Sequence, residues 1–184
     1  MKILEKIRSI DLQFFHKLRT YSVSKKIDIL LRTYIYMGDG YIWAFVLAYF
    51  AIFDGLNKMF EVIKAVLPIA ILSLVVYHAI KLLVKRKRPY ESLPDVNTKI
   101  SPMDRYSFPS GHTMNNLAIS FGLIHCMHQI GCIFTIVLVL MPISWDVLRI
   151  YYGLHWLSDV IAGIILAGLC FWVGTIIPLN FLFP

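Results

Sequence analysis

Long apolar runs separated by short polar clusters organise this chain. Crossing the hydrocarbon core of a bilayer takes about 20 mainly apolar residues in a helix. Five stretches approach that standard, at roughly 36–53, 65–84, 111–129, 131–150 and 157–177. Pro68 falls near the start of the second and Pro142 inside the fourth, so a kink is expected in each. The last stretch carries Ala162, Gly163, Ala167, Gly168 and Gly174, small residues that let helices approach closely. Residues 3–20 behave differently. Ile3, Leu4, Ile7, Ile10, Phe14 and Leu18 recur at helical spacing, with Lys2, Glu5, Lys6, Arg8 and Lys17 at other positions. That is an amphipathic helix suited to lying in the membrane interface. A further short helix is expected over 24–34. The pattern predicts an all-α integral membrane protein with a single domain over 1–184. Its core is a bundle of about five transmembrane helices, with six possible, preceded by an interfacial segment over 1–34.

Composition strengthens this reading. A hydrophobic fraction of 58% and a mean hydropathy of +0.68 are too high for a soluble globule of 184 residues. The net charge of +7 raises the question of nucleic acid, but no nucleic-acid-binding motif is present. In a membrane protein such an excess marks loops that face anionic headgroups. Cys126, Cys132 and Cys170 are odd in number, which excludes a fully paired set, and read as small buried hydrophobes. Glu5, Arg8 and Asp11 interrupt the stretch where a signal peptide needs a continuous apolar core.

Three polar clusters sit at the edges of the apolar runs: Lys81 with Arg88-Pro89, then Pro109-Ser110-Gly111-His112, then Arg149 with His155 and Asp159. Tracing the spans in order places the end of the second, the start of the third, the end of the fourth and the start of the fifth on one membrane face. The clusters occupy those four ends, so the topology makes them converge. Residues 85–109, with Pro89, Pro94, Pro102 and Pro109, form a polar link long enough to serve as an active-site loop. The link around 150–156 is tight and is broken by Gly153.

Each cluster has a chemical reading and a plainer one. A helix expected to start at about Ser110 offers unpaired N–H groups and a partial positive charge to an anion, with His112 on its first turn. The plainer reading is an ordinary N-cap with a chance histidine. His155 and Asp159 are four apart, hence on one helical face. A carboxylate on one ring nitrogen fixes the tautomer and leaves the other as nucleophile or base. Arg149 can grip two phosphate oxygens at once. The alternative there is an ion pair closing a helix end, although ionisable groups at membrane depth are functional by default. Residues 85–87 read as juxtamembrane charges that stop a helix and touch lipid, while Lys81 lies one turn further into the span.

These residues match, in order and spacing over 81–159, the three-part signature of the type-2 phosphatidic acid phosphatase superfamily, and the chain resembles that family. One departure is Leu148, where the family often has a serine before the arginine. The resemblance implies that His155 attacks phosphorus and forms a phosphohistidine, with Asp159 orienting it. It implies that His112 protonates the leaving oxygen and then activates water. Lys81, Arg88, Ser110, Gly111 through its backbone N–H, and Arg149 would hold the phosphate oxygens. Three cations and a helix N-terminus supply the charge stabilisation that phosphoryl transfer needs. No metal and no other cofactor is therefore expected.

The implied substrate is a membrane lipid monophosphate or diphosphate: phosphatidylglycerophosphate, phosphatidate, undecaprenyl diphosphate or a lipid A 1-phosphate. A lipid-dependent phosphotransferase would carry the same motifs. A haloperoxidase fits a short membrane chain poorly, and a small transporter or lipid-binding protein would not require two imidazoles and a paired carboxylate. His125, Cys126, His128 and Cys132 hint at a metal but lie about 20 Å from His112 by helical rise. His78 reads as a packed polar residue, Asp39 as a turn or cap between two glycines, and Asp146 as a candidate partner of Arg149. Lys and Arg number 8 in residues 1–35 and 6 in 85–109, so a literal positive-inside count puts the site in the cytoplasm. Phosphate-binding basic residues distort that count, and the expectation is a multi-pass protein of the cell membrane with its site on the extracytoplasmic face. Nothing in the sequence specifies an oligomeric state.

Overall fold

The computed structural model describes residues 2–127 and 131–176, and among these every regular element is helical. Helix α1 (Lys2–Arg19) keeps Ile3, Leu4, Ile7 and Ile10 exposed and buries only Asp11 and Phe15. Phe15 packs with Ile150, Trp156 and Val160, so the interfacial helix is also docked onto the bundle. Helix α2 (Lys25–Met37) starts where Ser24 Oγ accepts the Ile27 N–H at 3.4 Å. It ends at Gly38, and Gly40 turns the chain with a φ of +108°, a conformation that favours glycine. Helix α3 (Tyr41–Tyr49) then runs into a π-helical turn, Phe50–Asp54. The short helix expected over 24–34 is thus α2, and the span expected over 36–53 is α3 with its π-helical turn, set at 63° to α2 across the Gly38–Gly40 break.

Helix α4 (Leu56–Val84) is longer than expected at 29 residues and holds Pro68 in its interior rather than near its start. The short helix α5 (Pro89–Ser92) lies within the 85–109 link. Helices α6 (Gly111–Cys126), α7 (Cys132–Tyr151) and α8 (Leu157–Ile176) complete the bundle. The tail of the expected third span (128–129) and residue 177 of the fifth lie outside the described residues. By length and apolarity α4, α7 and α8 qualify as membrane spans, and the bent α2–α3 pair makes a fourth if counted as one.

Helix α6 differs from the other three in kind. At 16 residues it rises about 24 Å, and nine of those residues are buried. It packs against α4, α7 and α8, and Leu117 and Ala118 join Ile69 of α4 and Ala167 of α8 in one cluster. Protein rather than lipid surrounds it, so its length need not match the bilayer. By contrast α8 turns Ile161, Ile165, Leu169 and Trp172 outward, a lipid-facing stripe at helical spacing.

The α6–α8 contact depends on a missing side chain. A Cβ on Gly163 would lie 3.0 Å from the Ser110 carbonyl oxygen and from Thr113 Cβ, whereas one on Gly168 would meet nothing within 4 Å. Gly163→Val should therefore destabilise the detergent-solubilised protein by about 1–3 kcal/mol through overpacking. Gly168→Ala should be neutral or stabilising by up to about 1 kcal/mol, since it only removes a helix-weakening glycine. Thermal unfolding of the two variants against the parent checks both expectations.

Candidate active site

The first cluster is built by the end of α4. Lys81 is 5% exposed, and its Nζ donates to Tyr77 Oη at 3.0 Å and to the Asp104 carboxylate. Lys85 adopts a left-handed conformation that ends the helix, and the chain runs extended to Arg88, the N-cap of α5. Arg88 is 2% exposed. Its Nη1 donates to the Leu154 carbonyl at 2.6 Å, and its Nη2 to Asp104 Oδ1 at 2.7 Å and to the Tyr106 carbonyl at 3.1 Å. The guanidinium thereby ties the 85–109 link to the α7–α8 connection.

The second cluster forms the N-terminus of α6. Ser110 caps it, accepting from Thr113 N–H at 3.4 Å and donating to the Asp146 carboxylate. Asp146 Oδ2 also accepts the Thr113 N–H at 3.1 Å and its hydroxyl, which suits a carboxylate at the positive end of a helix. The Ser110 N–H donates to the Asp159 carbonyl at 3.0 Å, linking α6 to the start of α8. Gly111 is required by the Tyr77 ring, which lies 2.4 Å from where a Cβ would stand.

His112 faces the break between α2 and α3. Asp39 Oδ1 accepts from His112 Nε2 at 2.6 Å and from Arg149 Nη2 at 2.7 Å. Arg149 Nη2, which can only donate, also lies 2.7 Å from His112 Nε2, so the imidazole, the guanidinium and the carboxylate form one cluster. The Nε atoms of Arg88 and Arg149, both buried, make no hydrogen bond among the described residues.

The third cluster differs from the helical expectation. Helix α8 begins at Leu157, so His155 lies in the connection before it rather than on the same helical face as Asp159. His155 Nδ1 donates to the Ser107 carbonyl at 2.9 Å, and Asp159 Oδ2 lies further off at 3.6 Å. Nδ1 thus carries the proton, and Nε2 faces Arg88 Nη1 at 3.5 Å. Asp159 is fully buried; it accepts the Trp156 N–H at 2.7 Å and, through Oδ1, Arg86 Nη1 at 2.6 Å. Arg86 is therefore no juxtamembrane charge: a carboxylate buried beside it draws the guanidinium inward.

Burial pushes the His155 imidazole below its ordinary pKa, against the Asp159 hydrogen bond and the charge of Asp146, which favour protonation. At neutral pH the ring is consequently neutral, with a free lone pair on Nε2. Burial alone would raise Asp104, but hydrogen bonds from Lys81 and Tyr77 and the charges of Lys81 and Arg88 outweigh it and hold the carboxyl at about 2.

With this arrangement in view, the comparisons with known proteins are decisive. The family model of the PAP2 superfamily matches residues 61–182. The chain belongs to the PAP2 superfamily. The crystal structure of Aquifex aeolicus LpxE superposes with a TM-score of 0.73 at 26% identity, covering 89% of this chain and 93% of that one. A transmembrane PAP2-type phosphatidylglycerolphosphate phosphatase from Bacillus subtilis shares the fold at a TM-score of 0.68 and 17% identity, over 92% of this chain and 84% of that one. This chain is accordingly a PAP2-type membrane phosphatase.

Within that PAP2 frame, all eight motif residues lie at one end of the bundle, on α4, the 85–109 link, the start of α6, α7, the α7–α8 connection and the start of α8. Five contributors carry no signal in the apolar pattern: Asp39, Arg86, Asp104, the Ser107 carbonyl and the capping role of Asp146. Asp39 is more than a turn residue, because it binds both His112 and Arg149. Asp146 Oδ1 lies 3.8 Å from Arg149 Nε, a looser contact than its capping of α6. His78 is exposed; its Nδ1 meets the Leu74 carbonyl at 2.8 Å and its ring packs edge-on against Tyr77. His125 is exposed against Phe171, and His128 lies outside the described residues.

The Asp104 shift makes stability pH-dependent. A carboxyl lowered from 3.8 to about 2 stabilises the fold fully above 3.8, and the contribution is lost as pH falls through about 2. Asp104→Asn should cost about 2 kcal/mol at pH 6. The difference in thermal midpoint between variant and parent should then shrink as the pH is lowered below 3.8.

Proposed function

We propose that this protein hydrolyses the terminal phosphate of a membrane lipid monophosphate or diphosphate through a phosphohistidine, without a metal. The observation that carries this reading is the tautomer of His155. Its Nδ1 proton is held by the Ser107 carbonyl, so the Nε2 lone pair is directed toward Arg88, one of three buried cations at the site.

Lys81, Arg88 and Arg149, with the Ser110 hydroxyl and the Gly111 N–H at the start of α6, would bind the phosphate oxygens. The carboxylates of Asp104 and Asp39 now partner those cations, and the phosphate would replace them. His155 Nε2 attacks phosphorus; the Nε2–P bond forms as the P–O bond to the lipid breaks. The leaving oxygen takes a proton from His112 in its imidazolium form, which is left neutral. Neutral His112 then accepts a proton from water, whose oxygen attacks phosphorus; the P–N bond breaks and inorganic phosphate leaves. Asp159 and the Ser107 carbonyl stabilise the imidazolium character that develops on His155. Fixed cations of this kind need no reorganisation as charge spreads over the phosphoryl group, which is the condition for effective electrostatic catalysis.

A lipid substrate is favoured because the site lies at the end of a bundle whose outer faces are apolar. Candidate headgroups are phosphatidylglycerophosphate, phosphatidate, undecaprenyl diphosphate and a lipid A 1-phosphate. Purified protein should release phosphate from at least one of these in excess chelator, and His155→Ala should lose on the order of 10³-fold or more in kcat. Activity abolished by chelator and restored by a divalent ion would overturn the metal-free mechanism.

We place the site on the extracytoplasmic face of the cell membrane. Several basic residues that weigh against this are occupied within the fold: Arg32 and Lys99 both pair with Asp28 at 3.2 Å, and Arg86 and Arg88 are held in ion pairs at the site. With Cys126, Cys132 and Cys170 replaced by serine, an impermeant maleimide should label Asp95→Cys in intact cells. It should label Asn57→Cys only after permeabilisation, and the reverse pattern would place the site in the cytoplasm.

A further inference from the structure

Arg86 stands in the first polar link but outside the family signature, and it touches both groups that face His155 Nδ1. Its side chain donates through Nη1 to Asp159 Oδ1 at 2.6 Å. Its main-chain carbonyl accepts the Ser107 N–H at 2.9 Å, and Ser107 in turn receives the His155 Nδ1 proton on its own carbonyl at 2.9 Å. One residue therefore fixes the carboxylate and the carbonyl that together orient the ring.

Arg86 is itself held from outside the motif-bearing elements. Asp11 on α1 is 1% exposed, the most deeply buried charge on an otherwise exposed amphipathic helix. Its Oδ2 accepts from Arg86 Nη2 at 2.7 Å and from the Ser158 hydroxyl at 2.6 Å, and its Oδ1 from the Ser158 N–H at 2.8 Å. Arg86 Nη1 also donates to Ser158 Oγ at 2.7 Å, and the guanidinium carbon lies 5.6 Å from the centroid of the Trp156 ring. A planar guanidinium suits this task because its fork bridges two carboxylates at fixed separation. A carboxylate buried as deeply as Asp159 needs such a partner, because an unpaired buried charge is costly.

We infer that Arg86, locked by Asp11 of the N-terminal helix, is a positioning residue for the His155–Asp159 pair. It sets how strongly Asp159 can stabilise a protonated His155, and it ties the geometry of the nucleophile to the docking of α1. The inference rests on the phosphohistidine reading above.

Several other charges bear on the same ring. Arg88 faces its Nε2 from the link, Asp146 acts from α7, Asp159 from α8, and Lys81 of α4 acts on Asp159. Arg88, Asp146 and Lys81 make no contact with Arg86 or Asp11, so those two variants act on the ring through Asp159 and isolate the relay. Removing the positive charge with Arg86→Gln leaves Asp159 wholly available to His155 and eases protonation of the ring. Removing the negative charge with Asp11→Asn leaves Arg86 less neutralised and opposes that protonation.

The test is the pH profile of kcat/KM on one lipid phosphate, measured on full-length purified protein with equal folded fractions. The acid limb, where His155 becomes protonated, should move up by about half a unit or more in Arg86→Gln and down in Asp11→Asn. In Arg86→Gln kcat should fall about tenfold or more while KM stays within about twofold, because Arg86 does not face the phosphate. Arg86→Lys, which keeps the charge but not the fork, should return the limb close to the parent position with kcat still low. Limbs that stay in place, or that move in the same direction in both variants, would show that Arg86 and Asp11 only support the fold. A rise in KM with no movement of the limb would make Arg86 a phosphate ligand instead. Where Arg86→Gln fails to fold, Asp11→Asn, which keeps the shape of the side chain, still reports the downward movement or its absence. His155→Ala assayed in parallel separates the two levels, since full activity in that variant would overturn the phosphohistidine reading itself.

Discussion

Burying cations in a protein surrounded by lipid is the constraint from which the rest of the structure follows. Lys81, Arg88 and Arg149 are each at most 5% exposed. Buried charges of this kind are tolerated only when paired and hydrogen-bonded. The protein meets that demand with carboxylates from elements far apart in sequence: Asp104 for Lys81 and Arg88, and Asp39 for Arg149. The same cations are the groups that would grip a phosphate. A single arrangement therefore keeps the charges stable within the fold and ready for an anion.

The position of α6 converts that constraint into a site. Because it is surrounded by α4, α7 and α8, its N-terminus lies in the protein interior, where its free N–H groups are not answered by water. Asp146 takes the Thr113 N–H, Ser110 caps from within, and Gly111 admits the Tyr77 ring that carries hydrogen bonds to Lys81 and Asp104. The close approach of α8 at Gly163 completes the junction, bringing the Asp159 carbonyl to the Ser110 N–H. Packing and site geometry at this end of the bundle are one set of contacts.

Much of this was legible from residue pattern. The apolar runs identified the membrane class, and the three clusters at their edges supplied the eight residues that carry the family resemblance. The number and straightness of the spans were less legible. The Gly38-Asp39-Gly40 break delays the start of the span expected over 36–53 to Tyr41 and bends it from α2, and α6 reads as a lipid-facing span although protein surrounds it. Hydropathy reports how apolar a segment is, not which neighbour covers it.

The sequence by itself determined the solvent, the helical class and the family: an apolar periodicity and a motif are local in the chain, and local residue types suffice to express them. Only the tertiary structure decided which partner each ionisable group has. Asp39 reaches His112 across 73 positions, Arg86 reaches Asp159 across 73 and Asp11 across 75. The four-residue spacing puts His155 and Asp159 on one helical face, whereas the fold sets the ring on the Ser107 carbonyl, 48 positions away, with Asp159 further off at 3.6 Å. Such pairings have no signature in spacing, because they depend on how helices pack and on the demand that every buried charge find a counter-charge. That demand is met in three dimensions.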